Sequence, residues 1–558
     1  MDGLASAQAW TLRVGAFALP LAYSPFTYDS FVLPKLLLAR LLVVVLLVLV
    51  FARVMATGSL AVKRTPLDVP LAAFLASAAL SSLFAENLNV ALFGTYGRYD
   101  GVLTLLTFAA LFWLSVQGIA DQAEARVLLR VLLASGYAVA GVAIVQSIHD
   151  SVQQGYVAPA FGTLGNPNVL GGFLALVISI GAGELMMAGS AARRILFLNL
   201  LIVTGAALVL TFSRSSWLAA GAGIVFVVVT RPKRIALALV APLVVVLVLV
   251  VTIGQLDRAF LAKVRTLIDL QAIAGSRLGI WADSIRLIAS RPILGYGPDN
   301  VGLVFPRFQT GDWSTPGQVR QPIDKAHAEL LQVAATQGLV GVVTYVFLLV
   351  AFVRAFWRAA RLDQAVLIVA GWIGYQVSVQ LNFTALAAAL PFWILVAAAM
   401  ASFDAVRSRT VAVGRRPAYL TLVLAGASGV AVTVLGVIAP FAADAVLRAA
   451  VEADYAGRPQ EAQVLAAEAR QLGPRESVYA VEVGNTAFEL GQWAAARAAY
   501  RDAAALGTFN PLVYRNLALA DRDLGLLAEG KDAARKAVEL DRFDPANQAV
   551  LAQYGGSP

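Results

Sequence analysis

Long apolar runs follow one another along this chain to about Pro440, and no other feature limits its fold so strongly. A helix needs roughly 20 apolar residues to cross about 30 Å of hydrocarbon. Thirteen segments come close: near 10–26, 35–55, 67–84, 101–119, 127–148, 168–188, 195–212, 215–230, 235–253, 335–356, 364–382, 386–403 and 418–440. The 558 residues are 59% hydrophobic and 14% charged, with a mean hydropathy of +0.75. A soluble domain averages about half apolar and a quarter charged residues. The reading is an all-α, polytopic bundle of transmembrane helices in a lipid bilayer. The first run reads as a retained span, since no cleavable signal is evident.

Basic residues mark one side of that bundle. Arg53/Lys63/Arg64, Arg126/Arg130, Arg193/Arg194, Arg231/Lys233/Arg234, Arg354/Arg358/Arg361 and Arg407/Arg409/Arg415/Arg416 alternate with the runs so as to share a side. The positive-inside rule makes that side the cytoplasm. The opposite side then carries the segments around 93–101, 149–168 and 213–215, and one long loop at about 254–334. An odd number of spans places the C-terminal tail there too.

The same distribution decides what the net charge of +9 means. Its arginines and lysines sit in short clusters between apolar runs, as topology signals do, so nucleic acid is not the expected partner. There is no cysteine, and His149 and His327 are the only histidines. Disulfides, thiolate nucleophiles and Cys- or His-rich metal sites are excluded. No carboxylate-rich metal site is evident on the outer side. Neither a metal nor another cofactor is expected.

From about Ala443 the composition turns Ala-, Arg- and Glu-rich. Gly457, Gly491 and Gly525 recur every 34 residues, and Pro511 and Pro545 are also 34 apart. Each unit reads as a turn glycine, an amphipathic helix and a helix-stopping proline. That period is the tetratricopeptide signature, and three units are about the fewest that bury a shared core. The chain divides into a membrane domain at 1–442 and a helical-repeat domain at 443–558, the latter suited to docking a protein partner.

Ionisable groups near the membrane are costly and usually functional. Arg98 lies in "FGTYGRYDG" between two runs, and Arg214 in "TFSRSSWLA", a turn so short that two apolar helices almost abut. "TLGNPNVLGG" places Asn166, Pro167 and Asn168 where a span begins, either as a capped helix start or as a broken helix. In the long loop, "SRLGIWADSIRLIASRPILGYGPDN" opens with Arg277 and continues as an amphipathic helix. Leu278, Trp281, Ile285 and Ile288 form its expected apolar side. His327 follows, just ahead of the next span, with Asp324, Lys325 and Glu329 nearby. Arginines grip phosphate oxygens bidentately, and histidine best takes up a proton near neutral pH. Several arginines and one base on one face suit transfer from a phosphate-linked donor.

The series "GTLGNPN", "SRSSW", "SRLGIW…RPILGYGPDN" and "DKAHAELL…QGLVG" resembles the O-antigen ligase and O-antigen polymerase superfamily over roughly Pro20 to Asp404. The tail resembles tetratricopeptide extensions carried by some members. This resemblance implies a glycosyltransferase that moves a glycan from a polyprenyl-pyrophosphate donor to a hydroxyl acceptor outside the cytoplasmic membrane of a bacterium. It implies His327 as catalytic base and Arg214 and Arg277 on the donor pyrophosphate, with Arg98 assisting. One base and a good leaving group imply inversion at the anomeric carbon. Ala328 and Lys325 stand where such sequences often carry Asn and Arg. The alternatives are a polymerase of the same superfamily, or a transporter or membrane scaffold whose tail recruits partners. A transporter should show repeated spans and mid-membrane charges, whereas the polar residues here gather at one face.

Overall fold

The protein is described by a computed structural model covering residues 2–231, 248, 251–252, 277–313, 322–359, 361–413 and 415–555. The candidate span near 235–253 and the opening of the long loop otherwise lie outside the described residues.

The other twelve apolar runs all coincide with helices. Six helical stretches are long and apolar enough to cross a membrane: Leu33–Thr57, Gln122–Gln154, Pro167–Met186, Ala191–Leu210, Glu329–Ala359 and Gly426–Tyr455. Asp68–Ser82, Val102–Gly118, Arg214–Thr230 and Leu386–Ser402 are apolar but shorter. At 1.5 Å per residue, a helix of 15–17 residues is only about 22–26 Å long, at or just below the shortest length that spans the hydrocarbon. This is a multi-pass helical membrane protein: among the described residues six stretches have the length and apolarity of a full span, and the other predicted runs coincide with shorter or less apolar helices.

Nor is it wholly helical. Strand β1 (Ser59–Arg64) pairs antiparallel with β2 (Arg407–Ala412), Leu60 opposite Val411 and Val62 opposite Arg409. Each strand lies in a connection beyond a helix end, where the backbone needs partners outside any helix. Two β-branched-bearing segments supply them to each other.

At the centre of the bundle, Pro167–Met186 is buried almost throughout. It packs between Arg214–Thr230 and Asp363–Gln380, and small residues permit the close approach. A Cβ added at Gly223 or Gly374 would collide with the Ser179 hydroxyl. This tightly packed trio leads directly to the loops that hold the candidate residues.

The bundle has two chemically distinct ends. At one, the ribbon gathers Lys63, Arg64, Arg407 and Arg409, and Lys63 Nζ donates to the Ile119 carbonyl. Arg13 pairs with Glu124, Arg126 with Gln364, and Arg231 with Asp363. Basic loops far apart in sequence thus converge as their shared side requires. The other end holds the loops around 94–101, 161–168, 211–214, 322–328 and 381–385.

The C-terminal helices cover part of this second end. Pro459–Leu472, Trp493–Ala505 and Leu527–Leu540 begin 34 residues apart, as do Ser477–Glu489, Pro511–Asp523 and Pro545–Gln553. Buried positions keep that register: Ala462, Ala496 and Gly530, then Ala466, Tyr500 and Ala534, then Ala469, Ala503 and Ala537. A π-helical turn at Val434–Ile438 joins the last membrane-facing helix to Ala439–Tyr455. Arg40 donates to the carbonyl of Gly436 within that turn.

Candidate active site

The loop between Asp363–Gln380 and Leu386–Ser402 is the hub of the site, although its sequence carries no charge. Asn382 accepts from Arg277 Nη2 at 2.8 Å and donates to Ser215 Oγ at 2.9 Å. It thereby ties the start of Arg277–Ser290 to the start of Arg214–Thr230. Ser213 Oγ continues the chain by donating to Asn168 Oδ1 at 2.7 Å. Phe383, the next residue, sets its ring T-shaped against His327 with centroids 5.5 Å apart. The Arg98 guanidinium lies over the same ring at 5.2 Å.

Asn166 caps its helix by accepting from the backbone N–H groups of Asn168 and Val169, with Pro167 in the first turn. The capped-start reading of "GNPN" holds, and the broken-helix reading does not. The helix break occurs elsewhere. Gly338, with φ 63° and ψ −159°, interrupts Glu329–Ala359. The N–H groups of Leu339 and Val340 are satisfied by the carbonyls of Pro292 and Ile293. A side chain at Gly338 would strike that loop backbone. The break leaves a short half-helix, residues 329–337, braced by the "RPILGYG" loop, and His327 lies in the bend just before it.

His327 itself has φ 52°. Tyr99 beside Arg98, Phe212 near Arg214, and Asp299 share this left-handed conformation, which non-glycine residues rarely adopt. Such strain persists only where surroundings over-determine it, and it clusters at functional sites. Periodicity and composition carry no signal for it.

Electrostatics at the site are tightly paired. Arg98 grips Asp324 through Nε at 2.6 Å. Lys325, 2% exposed, donates to Asp100 at 2.6 Å and to Asp299 at 2.7 Å. Burial raises the Asp324 carboxyl, but Arg98 and then Lys325 outweigh it and hold it below the usual range. Glu329 accepts from the Thr384 backbone N–H at 2.8 Å. Both carboxylates nearest His327 in the sequence are therefore engaged. The imidazole has no hydrogen-bond partner among the described residues, while Trp281 Nε1 donates to the His327 carbonyl at 3.3 Å. Burial first, and then the positive charge of Arg277, push the His327 pKa down to about 4. Burial also lowers Arg277, and repulsion from Arg214 adds to it. The structure thus brings Arg98, Arg214, Arg277 and His327 near one another, around the 381–385 loop. Among the described residues no group of three or more His, Asp or Glu is placed to hold a metal ion.

The amphipathic helix turns differently from its expected orientation. Its buried face carries Ile280, Asp283, Ser284 and Leu287, whereas Leu278 and Ile285 are exposed. The buried Asp283 carboxylate makes this orientation tolerable by accepting from Trp313 Nε1 and from Thr310. Two openings adjoin the site. One runs from Asp100, Asp299 and Lys325 down between apolar side chains such as Phe74, Phe108, Leu348 and Phe392. Another lies beside Arg98 and Phe383.

Residues 198–346 match the family model described as O-antigen ligase. That segment belongs to the O-antigen ligase family. It contains Arg214, Arg277 and His327, while Arg98, Asn382 and Phe383 reach the ligase-family segment from outside it. No curated protein matches the chain. A solved structure, "First TPR of Spaghetti (RPAP3) bound to HSP90 peptide SRMEEVD", is 19% identical. The match covers 20% of this chain and 90% of that one, with a TM-score of 0.20.

Proposed function

We propose that this protein transfers a glycan from a polyprenyl-pyrophosphate donor to a hydroxyl acceptor, on the non-cytoplasmic side of a bacterial inner membrane. The observation that carries this reading is the meeting of His327, Arg98 and Arg277 around Phe383 and Asn382, with Arg214 beside them. The apolar opening beneath the cluster suits a long hydrocarbon chain whose charged head lies among the arginines.

In this reading Arg277 and Arg214 hold the pyrophosphate, and Arg98 supports it from the far side of Phe383. The acceptor oxygen forms a bond to the anomeric carbon as the bond from that carbon to the pyrophosphate oxygen breaks. The electron pair leaves on the pyrophosphate, where fixed guanidinium groups stabilise the charge. His327 takes the hydroxyl proton. In-line attack inverts the anomeric centre. In the free protein, burial and arginine repulsion keep the imidazole neutral. A bound dianion offsets that repulsion and strengthens the base when it is needed.

A ligase suits the C-terminal helices better than a polymerase does, because tetratricopeptide-like repeats at 443–558 beside the site suit an acceptor or protein partner that must be held. The test is a strain lacking this gene. Loss of attachment of one surface glycan, with accumulation of its lipid-linked precursor, supports a ligase. Short but attached glycan supports a polymerase. Unchanged glycans and precursor pools would sink both.

A further inference from the structure

One short segment, residues 299–307, touches the loop bearing His327 at one end and the C-terminal helices at the other. Asp299 is buried in the left-handed region at φ 57°. One carboxylate oxygen accepts from Lys325 at 2.7 Å, two residues before His327. The other accepts from the backbone N–H of Thr95 at 2.7 Å and from its hydroxyl at 2.9 Å. Asn300 follows, fully buried, accepting from the Asn87 N–H at 2.7 Å.

Further along, the segment meets the tail. A Cβ at Gly302 would lie 3.0 Å from the Phe509 ring. Arg542 donates to the Pro306 carbonyl at 2.7 Å. Arg307 bridges Glu86 at 2.6 Å and Glu539 at 2.9 Å. The neighbouring 87–89 segment is held too, Asn87 donating to the Ala505 carbonyl and Asn89 to that of Leu506.

We propose that residues 299–307 brace the His327 loop against the C-terminal helices, with Asp299 as the positioning residue that transmits the tail's placement through Lys325. The tail is then a wall of the active site as well as a docking surface. A fully buried lysine held by two carboxylates has one low-energy position, so displacing Asp299 moves the backbone that carries His327. This proposal rests on reading His327 as the base, but its test follows the imidazole directly.

The chain has two histidines, so ring-labelled histidine in the full-length protein in lipid nanodiscs gives two sets of resonances. His149 is exposed and far along another helix, and serves as the internal control. The His327 signal carries the ring-current shift of Phe383 and so reports their geometry. Asp299→Asn should move that signal away from its native position, and so should Arg307→Ala/Arg542→Ala. Both should lower transfer from an undecaprenyl-pyrophosphate-linked glycan by about 10²-fold, as expected for a displacement near 1 Å. His149 should not move. An unmoved His327 in Asp299→Asn overturns the role of Asp299, and an unmoved His327 in the arginine pair overturns the link to the tail. If Asp299→Asn does not fold, the partly exposed arginine pair decides the proposal. Absence of glycan transfer by the wild type would count against the proposed function alone, since the resonance positions still decide the brace.

Discussion

The ring of Phe383 stands T-shaped to the His327 imidazole at 5.5 Å and carries the Arg98 guanidinium at 5.2 Å. An apolar side chain thus sets the spacing between the candidate base and a candidate anion-binding group. Replacing it with leucine keeps much of the volume but removes the aromatic contact with both, each worth about 0.5–2 kcal/mol. Phe383→Leu should therefore fold, while transfer per folded molecule falls about tenfold or more. Full activity in steady-state assays of the purified variant would separate Phe383 from the site.

The pH dependence should differ from that of an ordinary histidine. With its pKa lowered from 6.5 to about 4, His327 is neutral and able to accept a proton at pH 5–6. The acid limb of kcat/KM, which reports the free enzyme, should lie near 4 and disappear in His327→Ala, with a rate loss of about 10²–10⁴-fold. The unfolded chain binds a proton at His327 near 6.5 and the folded one does not. Stability is therefore lost as pH falls from 6.5 toward 4 and is independent of this group above 6.5. A limb unchanged in His327→Ala would assign it to another group.

Lys325 is enclosed by Asp100 and Asp299, and burial raises Asp100. Lys325→Met leaves two carboxylates uncompensated, which should cost about 3–5 kcal/mol and show as a lower melting temperature. Lys325→Arg should recover part of it. A melting temperature for Lys325→Met equal to that of the wild type would show that the two aspartates find other partners.

Arg277 donates to Asn382 and repels Arg214. Arg277→Ala and Arg214→Ala should each weaken donor binding by about 1.5–3 kcal/mol, the worth of charge-assisted hydrogen bonds. Lysine should rescue either poorly, because it lacks the bidentate fork. Calorimetric or competition measurements showing wild-type donor affinity in either alanine variant would remove that arginine from the pyrophosphate.

Sidedness has its own test, made simple by a chain without cysteine. A single cysteine beside Gly491 should react with an impermeant thiol reagent in intact cells, as should one near Arg98. Reaction at the Gly491 position only after the membrane is opened would place the tail in the cytoplasm.

Apolar runs, basic loops and the 34-residue period were legible because each follows from local composition. A run long enough to need hydrocarbon became a helix, and Gly457, Gly491 and Gly525 took the left-handed turns their spacing implies. Arg98, Arg214, Arg277 and His327 were legible as charges in otherwise apolar surroundings. Tertiary structure alone decided which helices reach full span length, that residues 59–64 pair with 407–412, and which face of the amphipathic helix is buried. It alone also chose Asn382 and Phe383 as the hub. Their chemistry is ordinary, and their importance comes from a position between partners more than 50 residues away. The breaks at Gly338 and His327 are of the same kind, since their backbone geometry is enforced by the loop packed against it and not by the residues on either side.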